Sequence, residues 1–469
     1  MPGGPGVSPS PSAPGTDPGT GPRQTAWREG VDRLRAAAVT EPGRLRIIGA
    51  VLAGLVLLFG AATAWQVSDR QASADAVVER SQPLSADAAR IYRSLADADT
   101  TAASGFLAGG QEPREVRERY EADIAEASQR LAEAAANTDG SAAARRQIAA
   151  LNEKLPVYTG LIEAARANNR QGLPLGGAYL RYANDTMTRS LLPAARALYE
   201  TESARLGEDY EDAKAWPWVA LATGVLALGA LGWAQRRNYL RTNRVFNHGM
   251  LGASAACTVA LLWLVVGHSV AAVQLGDSDE HGARSLRVLN EAQISALQAR
   301  GDENLTLVAR GAVTAGKNGD KDAYEVSYTE QMKRLVGEDG GGAAHRSSLL
   351  GRADALADDS EGGAPVARAL ENVREWQSRH AVARAADDKG DYEDALQKVI
   401  GGKGSTGEAF DKVDKALTRA LAHEQREFRQ AADDGRGAFT GLAVGAGVLA
   451  VLGAVGALLG IGRRLSEYR

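Results

Sequence analysis

Four long stretches almost free of charge, 45–65, 216–234, 250–273 and 438–461, restrict what this chain can fold into more than any other feature. Roughly 20 apolar residues at helical rise cross a hydrocarbon core of about 30 Å. Arg46 at the edge of the first stretch and His268 within the third are their only basic side chains, and no carboxylate interrupts any of them. A soluble core helix rarely runs so far without a charge, so each stretch reads as a membrane span. A single soluble globule is excluded, because the charged residues crowd into the segments between the spans.

The flanks predict which way the spans face, since Lys and Arg are retained on the cytoplasmic side of short loops. Arg23, Arg28, Arg33, Arg35, Arg44 and Arg46 stand before or at the edge of the first span. The short loop 235–249 carries Arg236, Arg237, Arg241 and Arg244 and no acid, and the tail 462–469 carries Arg463, Arg464 and Arg469 against Glu467. The two long segments lean the other way: 67–215 has 18 basic and 23 acidic residues, and 274–437 has 23 and 30. A plasma-membrane protein with both termini in the cytoplasm and two large segments outside is therefore expected. Ala62-Thr63-Ala64 has the small residues of a signal-peptidase site, but the preceding run is too long for an ordinary signal peptide, so an uncleaved anchor is expected. The net charge of -4 argues against nucleic acid as a partner. The lone Cys257 lies inside a span, so the outer segments must hold together without internal disulfides.

Residues 1–22 hold seven of the fifteen prolines, a composition that cannot bury a core, and 1–43 is expected to be a disordered and partly amphipathic cytoplasmic tail. Trp27, Val31, Leu34 and Ala38 recur there at helical spacing among arginines, which suits a short helix on an anionic leaflet. Within the outer segments the period is also helical. Ile91, Leu95, Ala98, Ala102 and Phe106 form one apolar stripe, and Ala369, Val373, Trp376, His380 and Ala383 form another. Glycine-rich breaks near 109–110, 139–140, 172–177, 340–342, 362–363 and 401–402 leave about four helices per segment. The fold class is all-α, with four transmembrane helices and two extracellular helical bundles. The bundles read as a tandem repeat: Tyr158 aligns with Trp376, Ala165-Arg166 with Ala383-Arg384 and Gly172 with Gly390 at one offset, and Tyr120 with Tyr328 at a slightly smaller one.

Catalytic signatures are missing from the sequence. HExxH, paired CxxC and GxSxG do not occur, no cofactor is implied, and the dispersed histidines predict no metal site. Gly401-Gly402-Lys403-Gly404-Ser405-Thr406 has a phosphate-loop flavour, but Gly404 separates the lysine from the hydroxyl residues and an interhelical turn is expected. Asp387-Asp388 and Asp391 to Asp394 lack an EF-hand layout and read as a solvated surface. His268 reads as a neutral histidine bonded within the span bundle, with a functional role as the sharper alternative. Gly441 with Gly445, and Gly456 with Gly460, form small-xxx-small pairs that let helix backbones approach closely in lipid, either within the chain or in a homo-oligomer. Arg166, Asn168, Asn169 and Arg170 form a donor-rich helix end suited to an anionic partner, with plain helix termination at Gly172 as the alternative.

In its layout, and in stretches such as Ile91 to Leu107, Tyr120 to Leu131 and Tyr158-Thr159-Gly160-Leu161 through Gly172, the chain resembles the actinobacterial four-span GlnX-type proteins. It is more distantly similar to the four-helix-bundle sensors of chemoreceptors. The GlnX resemblance implies a non-enzymatic signal transducer that relays amino-acid availability from an extracellular solute-binding lipoprotein of the glutamine-binding class to a soluble Ser/Thr kinase, protein kinase G. The basic loop residues Arg236, Arg237, Arg241 and Arg244 would present the signal inside, because the cytoplasmic segments are too short to hold an output domain. A structural envelope scaffold is the competing class. A transporter fits poorly, as the spans offer almost no polar pathway.

Overall fold

A computed structural model describes residues 41–137, 141–242, 247–316, 321–338, 346–357 and 360–465. The tail read as amphipathic lies outside these residues. The described chain is all-α apart from one small hairpin, and it contains four helices long and apolar enough to cross a membrane. It divides into two compact units, one formed by 62–220 and 261–446, the other by the residues up to 61, 221–260 and those from 447 onward.

In chain order the first half of the larger unit holds the end of α1 (Glu41–Ala76), a π-helical turn (Val77–Ser81), α2 (Gln82–Leu107), α3 (Arg114–Asn137), α4 (Ala142–Arg170), α5 (Leu175–Thr186), a second π turn (Met187–Leu191) and α6 (Leu192–Lys214). The π turns have a local cause. Pro83 and Pro193 stand just after them and lack the N–H that an α-helix would use, so Gln82 and Leu192 bond back to Val77 and Met187, five residues away. After α7 (Trp218–Thr242) and α8 (His248–Asp277), a third π turn (Ser278–Ala283) leads into α9 (Arg284–Ala309). Here the wide turn holds Gly282, where an added Cβ would come within 2.9 Å of the Phe428 ring. Strands β1 (Thr314–Ala315) and β2 (Lys321–Asp322) pair antiparallel, with Thr314 opposite Asp322. They are followed by α10 (Ala323–Val336), α11 (Leu349–Leu356), α12 (Ser360–Asp388), α13 (Tyr392–Ile400), α14 (Thr406–Gly437) and α15 (Leu442–Leu465).

The helix starts follow ordinary capping chemistry. Asp322 accepts from the Tyr324 and Glu325 amides, Ser141 from Ala144, Ser348 from Gly351, and Ser405 from Glu408. The lysine-containing glycine loop is thus the cap of α14: the Glu408 carboxylate accepts the Gly404 N–H at 2.7 Å and Lys403 is exposed. Both apolar stripes face the core, with Ile91, Leu95, Ala98, Ala369, Val373 and Trp376 fully buried. The expected break at 362–363 falls earlier, and both glycines occupy the first turns of α12, where Pro365 stands inside the helix and its missing N–H removes one internal helix bond. The breaks expected at 139–140 and 340–342 lie in or against residues outside the described ones.

The halves of the larger unit share some features and differ in others, the second having a hairpin and an extra short helix and the first a second π turn. A π turn precedes each of α2 and α9, and α4 and α12 have the same length of 29 residues. Gly172 and Gly390 both turn the chain with positive φ (68° and 80°) just past those helices, a conformation glycine adopts without strain. Two helical runs, Gly43–Leu107 and His248–Ala309, are unbroken. The returning helices break before their apolar segments. After α6, Ala215 is extended, and the Arg70 guanidinium donates to the Ala215 and Trp216 carbonyls at 2.6 and 3.2 Å. After α14, Gly441 takes a φ of 77°.

In the smaller unit, an added Cβ on Gly249 would lie 2.6 Å from Gly460, and Asn247 donates to the Gly460 carbonyl at 2.7 Å. Gly456 meets the Gly249 carbonyl in the same way. Val51, Leu58, Leu226, Val259, Leu452 and Leu459 are exposed, a distribution that hydrocarbon rather than water explains.

Candidate functional site

The two halves of the larger unit meet along α2 and α9, which run parallel. Thr100 donates to the Leu297 carbonyl at 2.8 Å, Asn304 to the Ser104 hydroxyl at 2.7 Å, and Arg93 to the Gln293 side chain at 3.0 Å. These polar bonds lie within an apolar core that both helices share, through Ile91 and Leu95 of α2 and Leu289 and Ala292 of α9 among others. Several cavities flank this seam, and two of them differ in charge balance.

The first cavity, about 310 Å³, lies between α2, α6, α9 and α10. Buried Tyr92, Tyr199 and Ser295 form its floor, while Arg196, Arg287 and Arg334 reach it from three different helices, with Glu200 and Glu291. Burial pushes the Tyr92 and Tyr199 phenols up, whereas Arg196 and Arg334 beside Tyr92, and Arg287 beside Tyr199, pull them back. Arg196 is paired with Glu200 one turn away at 2.8 Å. Among the described residues, Arg287, Arg334 and Glu291 form no ion pair.

The second cavity, about 250 Å³, lies between α2, α3, α9 and α14 and has the opposite balance: Arg90 and Arg93 against Asp97, Asp123, Glu126 and Asp414. Some of its groups are bonded, while Asp123 Oδ2 and Arg93 Nε are buried without a hydrogen-bond partner among the described residues. Arg119 binds Asp97 at 2.8 Å, and Gln293 binds Asp414 at 2.7 Å. Burial and the neighbouring Asp97 push the Asp123 carboxyl up to about 8.

Each half also has a buried acid beneath an aromatic residue at the aligned positions. In the first half burial pushes Asp99 up to about 6, against a 2.7 Å bond from Asn184 and the nearby Tyr158 hydroxyl. In the second, Glu303 accepts from Trp376 Nε1 at 3.2 Å, Thr406 at 3.0 Å, His380 at 2.8 Å and Arg300. A cation covers the tyrosine of each half: the Arg166 guanidinium lies 4.2 Å above the Tyr120 ring, and His380 stacks 3.7 Å from Tyr328. Burial disfavours charge on His380, but its bonds to Glu303 and Glu325 outweigh this and push it up to about 9.

The residues singled out in the sequence fall into three groups. Arg166 is buried and paired with Glu112 at 3.0 Å and Glu163 at 2.8 Å, Asn168 bonds the Ala164 carbonyl, and Asn169 bonds the Phe106 carbonyl, so these three hold the helix end together. Only Arg170 of that set is exposed. Gly456 and Gly460 make a close helix contact, whereas Gly445 faces the Trp263 ring and Gly441 forms the turn before α15. Arg236 is exposed and Arg237 lies over Trp233 at 5.4 Å; both sit on α7, which extends through most of the expected loop. Arg241 lies in the last turn of α7, and Arg244 is outside the described residues. His268 is buried against Trp216, ring centres 4.9 Å apart. The arginines of the first cavity carry no local signature, because they converge from Arg196, Arg287 and Arg334, positions far apart in sequence.

The chain combines a helical bundle with four helices long and apolar enough to cross a membrane. Residues 73–211, the first half of the larger unit, match the family model described as the actinobacterial sensor domain. No curated protein and no solved structure matches the chain.

Proposed function

We propose that the chain is a non-enzymatic transmembrane signal transducer, with the larger unit outside the cell and both termini and the 235–249 connection in the cytoplasm. The observation that carries this reading is the sensor-family match over 73–211 in a segment that follows an apolar helix without a helical break, from Gly43 to Leu107. A displacement of α2 against α9 would then have an unbroken helical route in each half, while the turns at 215–217 and 438–441 free the return helices from following rigidly. The cue is amino-acid availability, delivered by an extracellular solute-binding lipoprotein, and the output is a cytoplasmic Ser/Thr kinase that reads the basic surface around Arg236, Arg237, Arg241 and Arg244.

Single cysteines at Glu115 and Asp391 in a chain lacking Cys257 test the sidedness with an impermeant maleimide on whole cells: both label if the reading holds, and protection of either until lysis overturns it. Photocrosslinking from Arg170 tests the relay. Recovery of a solute-binding lipoprotein, with loss of kinase response on deletion of the chain, is expected. Unchanged kinase output after deletion refutes it.

A further inference from the structure

A buried carboxylate is normally held by a cation or by several donors, because an ionised group out of water is costly. Glu303 obeys this rule: burial opposes its charge, but Arg300 and His380 outweigh it and hold the carboxyl below the usual range. Two nearby acids do not. Asp99 of α2 is 8 % exposed; Asn184 donates to its Oδ2 at 2.7 Å, and Oδ1 has no hydrogen-bond partner among the described residues. Asp302 of α9 is half-buried, faces Asp99 and has the Ser327 hydroxyl beside it. The two acids lie among the bonds that join the helices, Thr100 to the Leu297 carbonyl and Asn304 to Ser104.

The groups around the pair supply no counter-charge. Tyr120 of α3 and Tyr158 of α4 face Asp99, α5 adds Asn184, and α10 presents Tyr324 and Glu325, with Asp322 at its cap. Arg166 is paired with Glu112 and Glu163, and Arg181 of α5 acts on Tyr324. Among the described residues neither acid forms an ion pair. Burial pushes Asp99 up to about 6, and burial with Asp99, Glu325 and Asp322 pushes Asp302 up to about 8.

We propose that Asp99 and Asp302 form a proton-operated catch between the two halves: while the pair holds a proton α2 and α9 stay packed, and when both carboxyls are ionised the contact loosens. Opening admits water to the carboxyls and returns them towards their ordinary values. Groups raised in the closed form favour closure while they are protonated. Their contribution is therefore complete below about pH 4 and is lost as the pH climbs through about 6 and then about 8. The catch makes the larger unit responsive to the acidity around it, a use that rests on the sensor reading and adds a form of regulation to it.

The test is hydrogen exchange of the full chain in lipid nanodiscs, read by mass spectrometry on peptides covering 91–107 and 290–309 and corrected for intrinsic exchange. Between pH 6 and pH 8 the opening equilibrium of these peptides rises about tenfold or more. Asp302→Asn, an uncharged isostere of the protonated acid, keeps its pH 6 protection at pH 8, and Asp99→Asn reduces the rise. Asp185→Asn, at an exposed acid of α5 paired with Arg189, leaves the rise unchanged. No rise in the parent, or the parent's full rise in Asp302→Asn, overturns the proposal. Should Asp302→Asn be recovered unfolded, Asp99→Asn decides, and the parent's full rise in that variant overturns it equally. Exchange is measured without lipoprotein or kinase, so a flat pH response and a failed relay are separate results.

Discussion

Replacing His380 with Gln exposes a proton-linked contribution to the stability of the second half. In the folded chain this histidine is pushed up from 6.5 to about 9, because its two nitrogens face the Glu303 and Glu325 carboxylates at 2.8 and 3.2 Å. At about 1.4 kcal/mol per pH unit, the difference corresponds to a contribution on the order of 3 kcal/mol. A group raised on folding stabilises most while it is protonated in both states. The contribution is therefore complete below about pH 6.5 and is lost as the pH climbs through about 9. Glutamine fills much the same space, and Glu303 keeps Arg300, Thr406 and Trp376 as partners. The variant should accordingly be about 3 kcal/mol less stable near pH 6 and almost equal to the parent near pH 9.5. Denaturant unfolding of the nanodisc-embedded chain, followed by near-ultraviolet circular dichroism at both pH values, measures the difference. An equal deficit at the two pH values would refute the reasoning and assign the role of His380 to its packing on Tyr328.

Other perturbations separate buried from exposed chemistry. Arg166→Ala removes a cation that lies over Tyr120 and binds Glu112, and should cost about 3 kcal/mol; Arg114→Ala, which breaks an exposed pair with Glu118, should not move the unfolding midpoint in the same melt. Glu202 is 2 % exposed, neither carboxylate oxygen has a hydrogen-bond partner, and burial pushes its pKa up. Glu202→Gln should stabilise the chain near pH 7 by about 1 kcal/mol or more, with the gain vanishing near pH 4, as pH-dependent unfolding will show. Gly249→Leu should splay α8 from α15, since an added Cβ would meet Gly460 at 2.6 Å. A lowered melting temperature in detergent, with faster proteolysis of the smaller unit, is the expected result.

The spans and bundle helices were legible in the sequence because each is a local periodic pattern: an uncharged run of about 20 residues, or a stripe such as Ile91, Leu95 and Ala98 that a single helix must bury. The π turns were not, because they depend on a proline two residues beyond the turn or on the fit of Gly282 against Phe428. The hairpin at 314–322 was also missed, being only two residues a side and lacking alternation. The donor-rich run Arg166 to Arg170 drew attention as a local cluster, yet Arg166, Asn168 and Asn169 use their donors on the fold. The first cavity had no such signal. Its arginines are isolated on α6, α9 and α10, and only the packing of those helices brings them to one space.

The α2 and α9 seam joins two helices of one polypeptide, so no rotation forces its two sides to match. Arg93 reaches Gln293 with no reciprocal pair, and one flank is basic while the other is acidic. In a pair of identical subunits every substitution arrives twice and every pocket is duplicated. Here a mutation enters once per molecule, so the two flanks can change independently of each other.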